Sequence, residues 1–164
     1  MGTRHLRTSA WLIALATFTA APGLMAQQPT DHAGADPAKR ADHLAWGPAP
    51  AIFPAGAQMV VLQGDPAAPA IVTVRLKMPN NYAIPPHWHP TDEHVTVIKG
   101  QLTIGMGDTM STDAELPTLK AGDFITAPAN AHHYARARGE TIVQVHMMGP
   151  FQLTYVNPKD DPTQ

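Results

Sequence analysis

Pro85-Pro86-His87-Trp88-His89-Pro90-Thr91-Asp92-Glu93-His94 is the stretch of this chain that says most about it. Residues two apart on a strand point the same way, so His87 and His89 share a face and Trp88 takes the other. Glu93 follows after three residues that include Pro90, enough chain to bend and return a carboxylate. Two imidazoles and a carboxylate on one side of an ion leave other coordination positions open. Open positions are what substrate, water or dioxygen needs to reach a metal.

A bare His-x-His pair is weak evidence, because two surface histidines can fall that way by chance. A second segment adds weight. Gly122 to His133 reads as a Gly turn, a short strand, a turn bounded by Pro128 and then the pair His132-His133. From Trp46 onward the hydrophobic period is two rather than 3.6. In Ile71 to Met78, Val72, Val74, Leu76 and Met78 fall on one face, with Thr73, Arg75 and Lys77 on the other. Further β-rich runs are Met59 to Gln63, His94 to Lys99, Gln101 to Met106, Asp123 to Ala127, His133 to Arg136, Thr141 to Met147 and Phe151 to Val156. Turn signals separate them, among them Pro85-Pro86, Lys99-Gly100, Ala121-Gly122, Arg138-Gly139 and Gly149-Pro150. Many short strands at this spacing predict an all-β sandwich or barrel.

Composition agrees. Twelve Gly and 17 Pro in 164 residues are too much punctuation for a helical bundle. The absence of Cys removes disulfides, iron–sulfur clusters, thiolate metal sites and Cys nucleophiles, while nine His remain. A formal charge of −2 lacks the basic excess of a nucleic-acid binder. There is no Gly-x-Ser-x-Gly and no phosphate-binding loop, and Gly105-Met106-Gly107 lacks the third Gly of a dinucleotide site. Asp108, Asp113 and Glu115 lack a calcium-loop pattern.

Residues 1–26 read as a secretory signal peptide, which predicts a periplasmic or secreted protein without a stable membrane anchor. Arg4 and Arg7 precede an uncharged run from Ala10 to Ala21, too short for a span of about 20 residues. Pro22 and Gly23 break it, and cleavage is expected near Ala26. That removes two basic residues and no acid, taking the charge from −2 to −4. Residues 27–44 read as a flexible leader carrying His32 and His43, 45–157 as the folded domain and 158–164 as a tail.

The two histidine segments resemble the cupin motifs. His87-x-His89-x(3)-Glu93-x(6)-Gly100 is similar to the family's first motif, and Gly122-x(5)-Pro128-x-Asn130-x(2)-His133 to its second. Asn81 and Asn130 stand where the family usually has Gly, and Asn tolerates left-handed backbone better than most residues. Ala137 stands where the family usually has Asn, which removes no ligand. The resemblance covers roughly Trp46 to Val156. It implies a jelly roll, a double-stranded β-helix whose two antiparallel sheets enclose an interior. It also implies one divalent ion (Fe, Mn, Zn, Ni or Cu) held by His87, His89, Glu93 and His133. His132 is the rival for the fourth place, and the count from Pro128 favours His133. Such a protein is expected to be a metal-dependent enzyme of oxygenase, isomerase, decarboxylase or lyase type acting on a small organic molecule. The alternative is a binding module without turnover.

Ile142, Gln144 and His146 share a face of their strand and either line the pocket or lie outside it. If inward, His146 is the candidate acid–base partner, since imidazole titrates near working pH. Tyr134 is a second catalytic candidate and Tyr82 a weaker one. Trp88 and His94 are expected to point away from the ligands. Phe151, Leu153, Tyr155 and Val156, with Met147 and Met148, read as core or as a homodimer surface.

Overall fold

The structure is a computed structural model that describes residues 1, 38–111 and 116–164. The expected signal peptide, apart from Met1, and the leader up to Pro37 lie outside the described residues. Among the described residues, nine strands carry the fold: β1 (Gly47–Pro48), β2 (Gln58–Gln63), β3 (Ile71–Met78), β4 (Ala83–Trp88), β5 (Glu93–Met106), β6 (Thr118–Lys120), β7 (Phe124–Ala127), β8 (His133–Met148) and β9 (Thr154–Tyr155). Among the described residues, helix is confined to two short 3-10 turns, Ala41–His43 and Pro158–Asp160. The second is capped by the Asn157 side chain, which accepts from the Lys159 amide. No described helix is long and apolar enough to cross a membrane.

The expected alternation in β3 is present. Val72, Val74, Leu76 and Met78 are buried, and Arg75 and Lys77 face outward half-exposed. The interior they join holds Val95, Val97, Leu102, Val143, Val145 and Met147. All strand pairing is antiparallel. On one edge, the last half of β8 pairs with β3 and its first half with β4. On the other, β8 pairs with β5 along nearly its whole length. The first half of β5 pairs with β7 and the second half with β6. Each long strand thus serves both layers of the barrel.

Sixteen residues of straight strand would run about 50 Å, longer than the roughly 35 Å width of a domain this size, so β5 and β8 must bend. The ladder shows where. Its register slips between Val97 and Lys99 and again between Lys99 and Gln101. Gly100 has φ +78°, and a Cβ there would lie 2.4 Å from the Glu140 carbonyl oxygen and 2.9 Å from the Thr141 Cα. The fully buried Thr141 hydroxyl donates to the Gln101 carbonyl at 2.8 Å across the bend. Lys99-Gly100 and Arg138-Gly139, expected as turns between separate strands, are therefore bends inside continuous ones. A positive-φ Gly serves a bulge as well as a reversal.

Pro85-Pro86 also differs from expectation, lying within β4 and not in a turn. Neither proline can donate to a ladder. β4 accommodates them because its pairing with β8 is interrupted between Ile84 and His87. Asn81 and Asn130 take φ of +63° and +62°, the left-handed backbone anticipated for them.

Gly100→Ala combines a left-handed φ with a backbone clash, so it should cost at least about 1–3 kcal/mol and lower the melting temperature by about 5 °C or more. Thermal unfolding followed by circular dichroism checks this. An unchanged transition would contradict the bend described here.

Candidate metal centre

His87 and His133 are register partners on neighbouring strands β4 and β8. Both side chains are buried, at 3% and 2% exposure, and their ring centroids lie 4.3 Å apart. His89, one residue past β4 and 2% exposed, completes a triangle at 5.1 Å from His87 and 5.4 Å from His133. One nitrogen from each ring lies within 4.8 Å of the others, so the three can hold a metal ion. Glu93, the first residue of β5, brings Oε2 to 3.3 Å from His133 Nε2 and 3.7 Å from His89 Nε2. The turn before β8 is tied to the turn after β4. The Asn130 amide donates to the His89 carbonyl and the Ala129 amide to the Asp92 carboxylate, both at 2.8 Å.

Each ring is oriented from behind. The Nδ1 atoms of His87, His89 and His133 contact the carbonyls of Pro85, Gln152 and Ala131, at 2.7, 2.5 and 3.0 Å. A carbonyl can only accept, so Nδ1 carries the proton and, in the neutral ring, Nε2 carries the lone pair. The Nε2 atoms of His89 and His133 are buried with no hydrogen-bond partner among the described residues. Glu93 Oε2, 3.3 Å from His133 Nε2, is a close opposite charge there and not a hydrogen-bond partner. Buried polar atoms are otherwise almost always satisfied, and each orphan calls for an explanation. A metal ion would supply it, since donation of one ring nitrogen to a carbonyl is the usual support of a metal-ligating histidine.

Electrostatics separate the groups. Burial, reinforced by His133 and His89, lowers His87 to about 3. Burial also opposes charge on His133, but the attraction of the adjacent Glu93 carboxylate outweighs it and raises that pKa above 6.5. Burial likewise opposes ionisation of Glu93, and the neighbouring imidazoles, His133 foremost, overcome it and lower its pKa.

The cavity in front of these rings is lined by side chains of which only His87, His89, Glu93 and His133 are polar. The rest are apolar, among them Phe53, Met59, Leu102, Val143, Phe151 and Leu153. His132 does not join the cluster. Its ring is paired with Asp108 at 2.6 Å, as strand parity requires once His133 points inward. His146 is a correction. Val143 and Val145 take the inward positions of β8, so His146 faces outward with Gln144. There it contacts Thr73 and stands in register with His94 of β5, which in turn contacts Thr126 of β7. Tyr134 is a second correction. Its parity is opposite to that of His133, its ring covers Gly105, and its hydroxyl accepts the Ser111 amide at 2.9 Å. Tyr82 is buried outside the cavity lining and donates to the Pro54 carbonyl. The contribution that sequence reasoning missed is the Gln152 carbonyl behind His89. No side-chain identity encodes it.

These directions have signs that can be tested. An unfolded imidazole protonates near 6.5, whereas folded His87 resists protonation to about 3, so His87 favours the unfolded chain increasingly as pH falls from 6.5 toward 3. His133 adds stability below 6.5 and loses it as pH rises through its raised value. In an NMR titration of chelator-treated protein, the His87 ring should not titrate between pH 8 and pH 4.5, and the His133 midpoint should lie above 6.5. A His87 midpoint near 6.5 would contradict the burial argument.

Comparison with known proteins points the same way. The cupin domain family model matches residues 74–149, which span both histidine segments. Among solved structures, KdgF from Halomonas sp. is 19% identical, with a TM-score of 0.52 over 69% of this chain and 92% of its own. The DMSP lyase DddQ from Ruegeria pomeroyi is 18% identical, with a TM-score of 0.56 over 71% of this chain and 62% of its own. An oxalate oxidase is 20% identical, with a TM-score of 0.52 over 79% of this chain and 68% of its own. No curated protein matches this chain in sequence. Residues 74–149 thus form a cupin domain, with both histidine motifs in place and a curled antiparallel sheet that shares the fold of these structural neighbours.

Proposed function

We propose that this cupin is an exported metal-dependent enzyme acting on a small organic molecule, with one divalent ion held by His87, His89, His133 and Glu93. The observation that carries the proposal is the pair of buried, partnerless Nε2 atoms on rings whose Nδ1 atoms are fixed by backbone carbonyls. When bound, the ion supplies Lewis acidity and open positions for a carboxylate, enolate or hydroxyl. The chain supplies orientation and a dry surrounding. Three backbone carbonyls fix the rings, Glu93 supplies the compensating charge, and the apolar walls exclude water from the reacting end of the ligand. Fe, Mn, Zn, Ni and Cu all suit three imidazoles and a carboxylate. Intrinsic affinity favours Cu and Zn, so the metal found after purification need not be the working one. Structural neighbours that include a lyase and an oxidase support an enzyme reading. The basic, apolar, small-residue sequence of residues 1–26 supports export.

A second reading is binding without turnover. It draws on one observation: among the described residues, apart from the four predicted ligands, the cavity lining offers no side chain that can exchange a proton. Product formation from a candidate substrate by metal-loaded protein separates the two.

Metal analysis tests what both readings share. Purified, reconstituted protein should carry about one divalent ion per chain. His87→Ala and Glu93→Ala should each lose most of it while retaining the β-sheet circular dichroism spectrum. Wild type that takes up no metal, or variants that keep it stoichiometrically, would overturn the assignment.

A further inference from the structure

We propose that the pocket takes a small monoanionic ligand with one oxygen-donor end and an otherwise apolar body. This rests on the metal reading above and sharpens it to a substrate class. The first ground is the lining. Among the described residues, beyond the four predicted ligands, no Lys or Arg side chain, no side-chain amide and no hydroxyl lines the cavity. Any polar group of a bound molecule that does not reach the metal end is left without a partner, which is unfavourable in an apolar site. The ligand's polar atoms must therefore gather at one end.

The second ground is charge. Three neutral imidazoles, one carboxylate and a divalent ion sum to +1. A monoanionic head brings the buried assembly to neutrality. A ligand with a second carboxylate at its far end leaves −1 among Phe53, Leu102 and Leu153, with no cation to compensate it.

Size is the third. The space open to the centres of water-sized molecules is about 40 Å³. So small a cavity admits only a small molecule beside the metal end. One wall is aromatic. The Phe53 and Phe151 rings lie 5.8 Å apart, and Phe151 lies 5.8 Å from the His89 ring. Phe151 is only partly buried. It sits on the segment whose Gln152 carbonyl holds His89, so the same few residues orient a ligand of the metal and bound the cavity.

The experiment uses purified protein loaded with Co(II), its metal content measured first. Butyrate, 4-hydroxybutyrate and succinate, which differ only at the far end, are titrated at fixed pH while the visible Co(II) spectrum is followed. Butyrate should bind roughly tenfold or more tighter than either of the others. Phe151→Ala, which opens the wall without removing a predicted ligand, should raise the affinity for hexanoate relative to butyrate. Equal affinity across the three, or a spectrum that none of them perturbs, overturns the proposal and leaves the metal reading standing. An unchanged hexanoate-to-butyrate ratio in Phe151→Ala overturns the assigned wall. Failure to take up Co(II) overturns the metal reading and this proposal with it.

Discussion

The antiparallel ladder between β5 and β8 has to close on itself. Glu93 pairs with Met147 at one end of this ribbon, and His133 pairs with Met106 at the other. Drawn straight, thirteen residues of strand would separate those ends by about 40 Å. Yet Glu93 Oε2 lies 3.3 Å from His133 Nε2. The contact exists only because the ribbon bends where Gly100 passes the Glu140 carbonyl and where the Thr141 hydroxyl bridges to Gln101. The rest of the site follows from that closure. β4 lies beside the first half of β8 and carries His87 to His133. The turn linking β7 to β8 is tied to the turn that carries His89.

Much of this was legible in the residues. The parity of Val72, Val74, Leu76 and Met78 follows from sequence alternation alone. The expectation of left-handed backbone at Asn81 and Asn130 came instead from the resemblance to the cupin motifs, which usually place Gly there, and Asn accepts that backbone better than most residues. Strand parity anticipated that the His87 and His89 rings share a face, and the resemblance to the cupin motifs added His133. Other features were not legible, for physical reasons. A Gly at positive φ looks the same in a reversal and in a bulge, so β5 and β8 each read as two strands. β6 spans only Thr118–Lys120, too few residues for a period to show. Pro85-Pro86 resembled a turn because a proline in a strand is acceptable only where the partner's register skips, and that depends on β8.

His146 shows the same limit at a single side chain. Thr141, Val143 and Val145 alternate with Ile142, Gln144 and His146, and either set could have faced inward. Tertiary packing chose the valines. The histidine was left on the outer face, against Thr73 and Gln144. The consequence is chemical. Among the described residues, the cavity keeps its polar side chains in one place, at the end where three imidazoles and a carboxylate converge, and leaves its remaining walls apolar. Low polarity around the site is also what keeps His87 neutral and its nitrogen available for donation. Fold closure, tautomer control and apolar walls therefore act on the same few atoms.

The central claim is that these imidazoles together ligate one ion. X-ray absorption at the zinc edge of Zn(II)-loaded protein tests it most directly. The account predicts a nitrogen and oxygen shell at about 2.0–2.2 Å and outer-shell scattering from three imidazole rings, with no sulfur. A shell of water and carboxylate oxygens, with scattering from one imidazole or none, would contradict it.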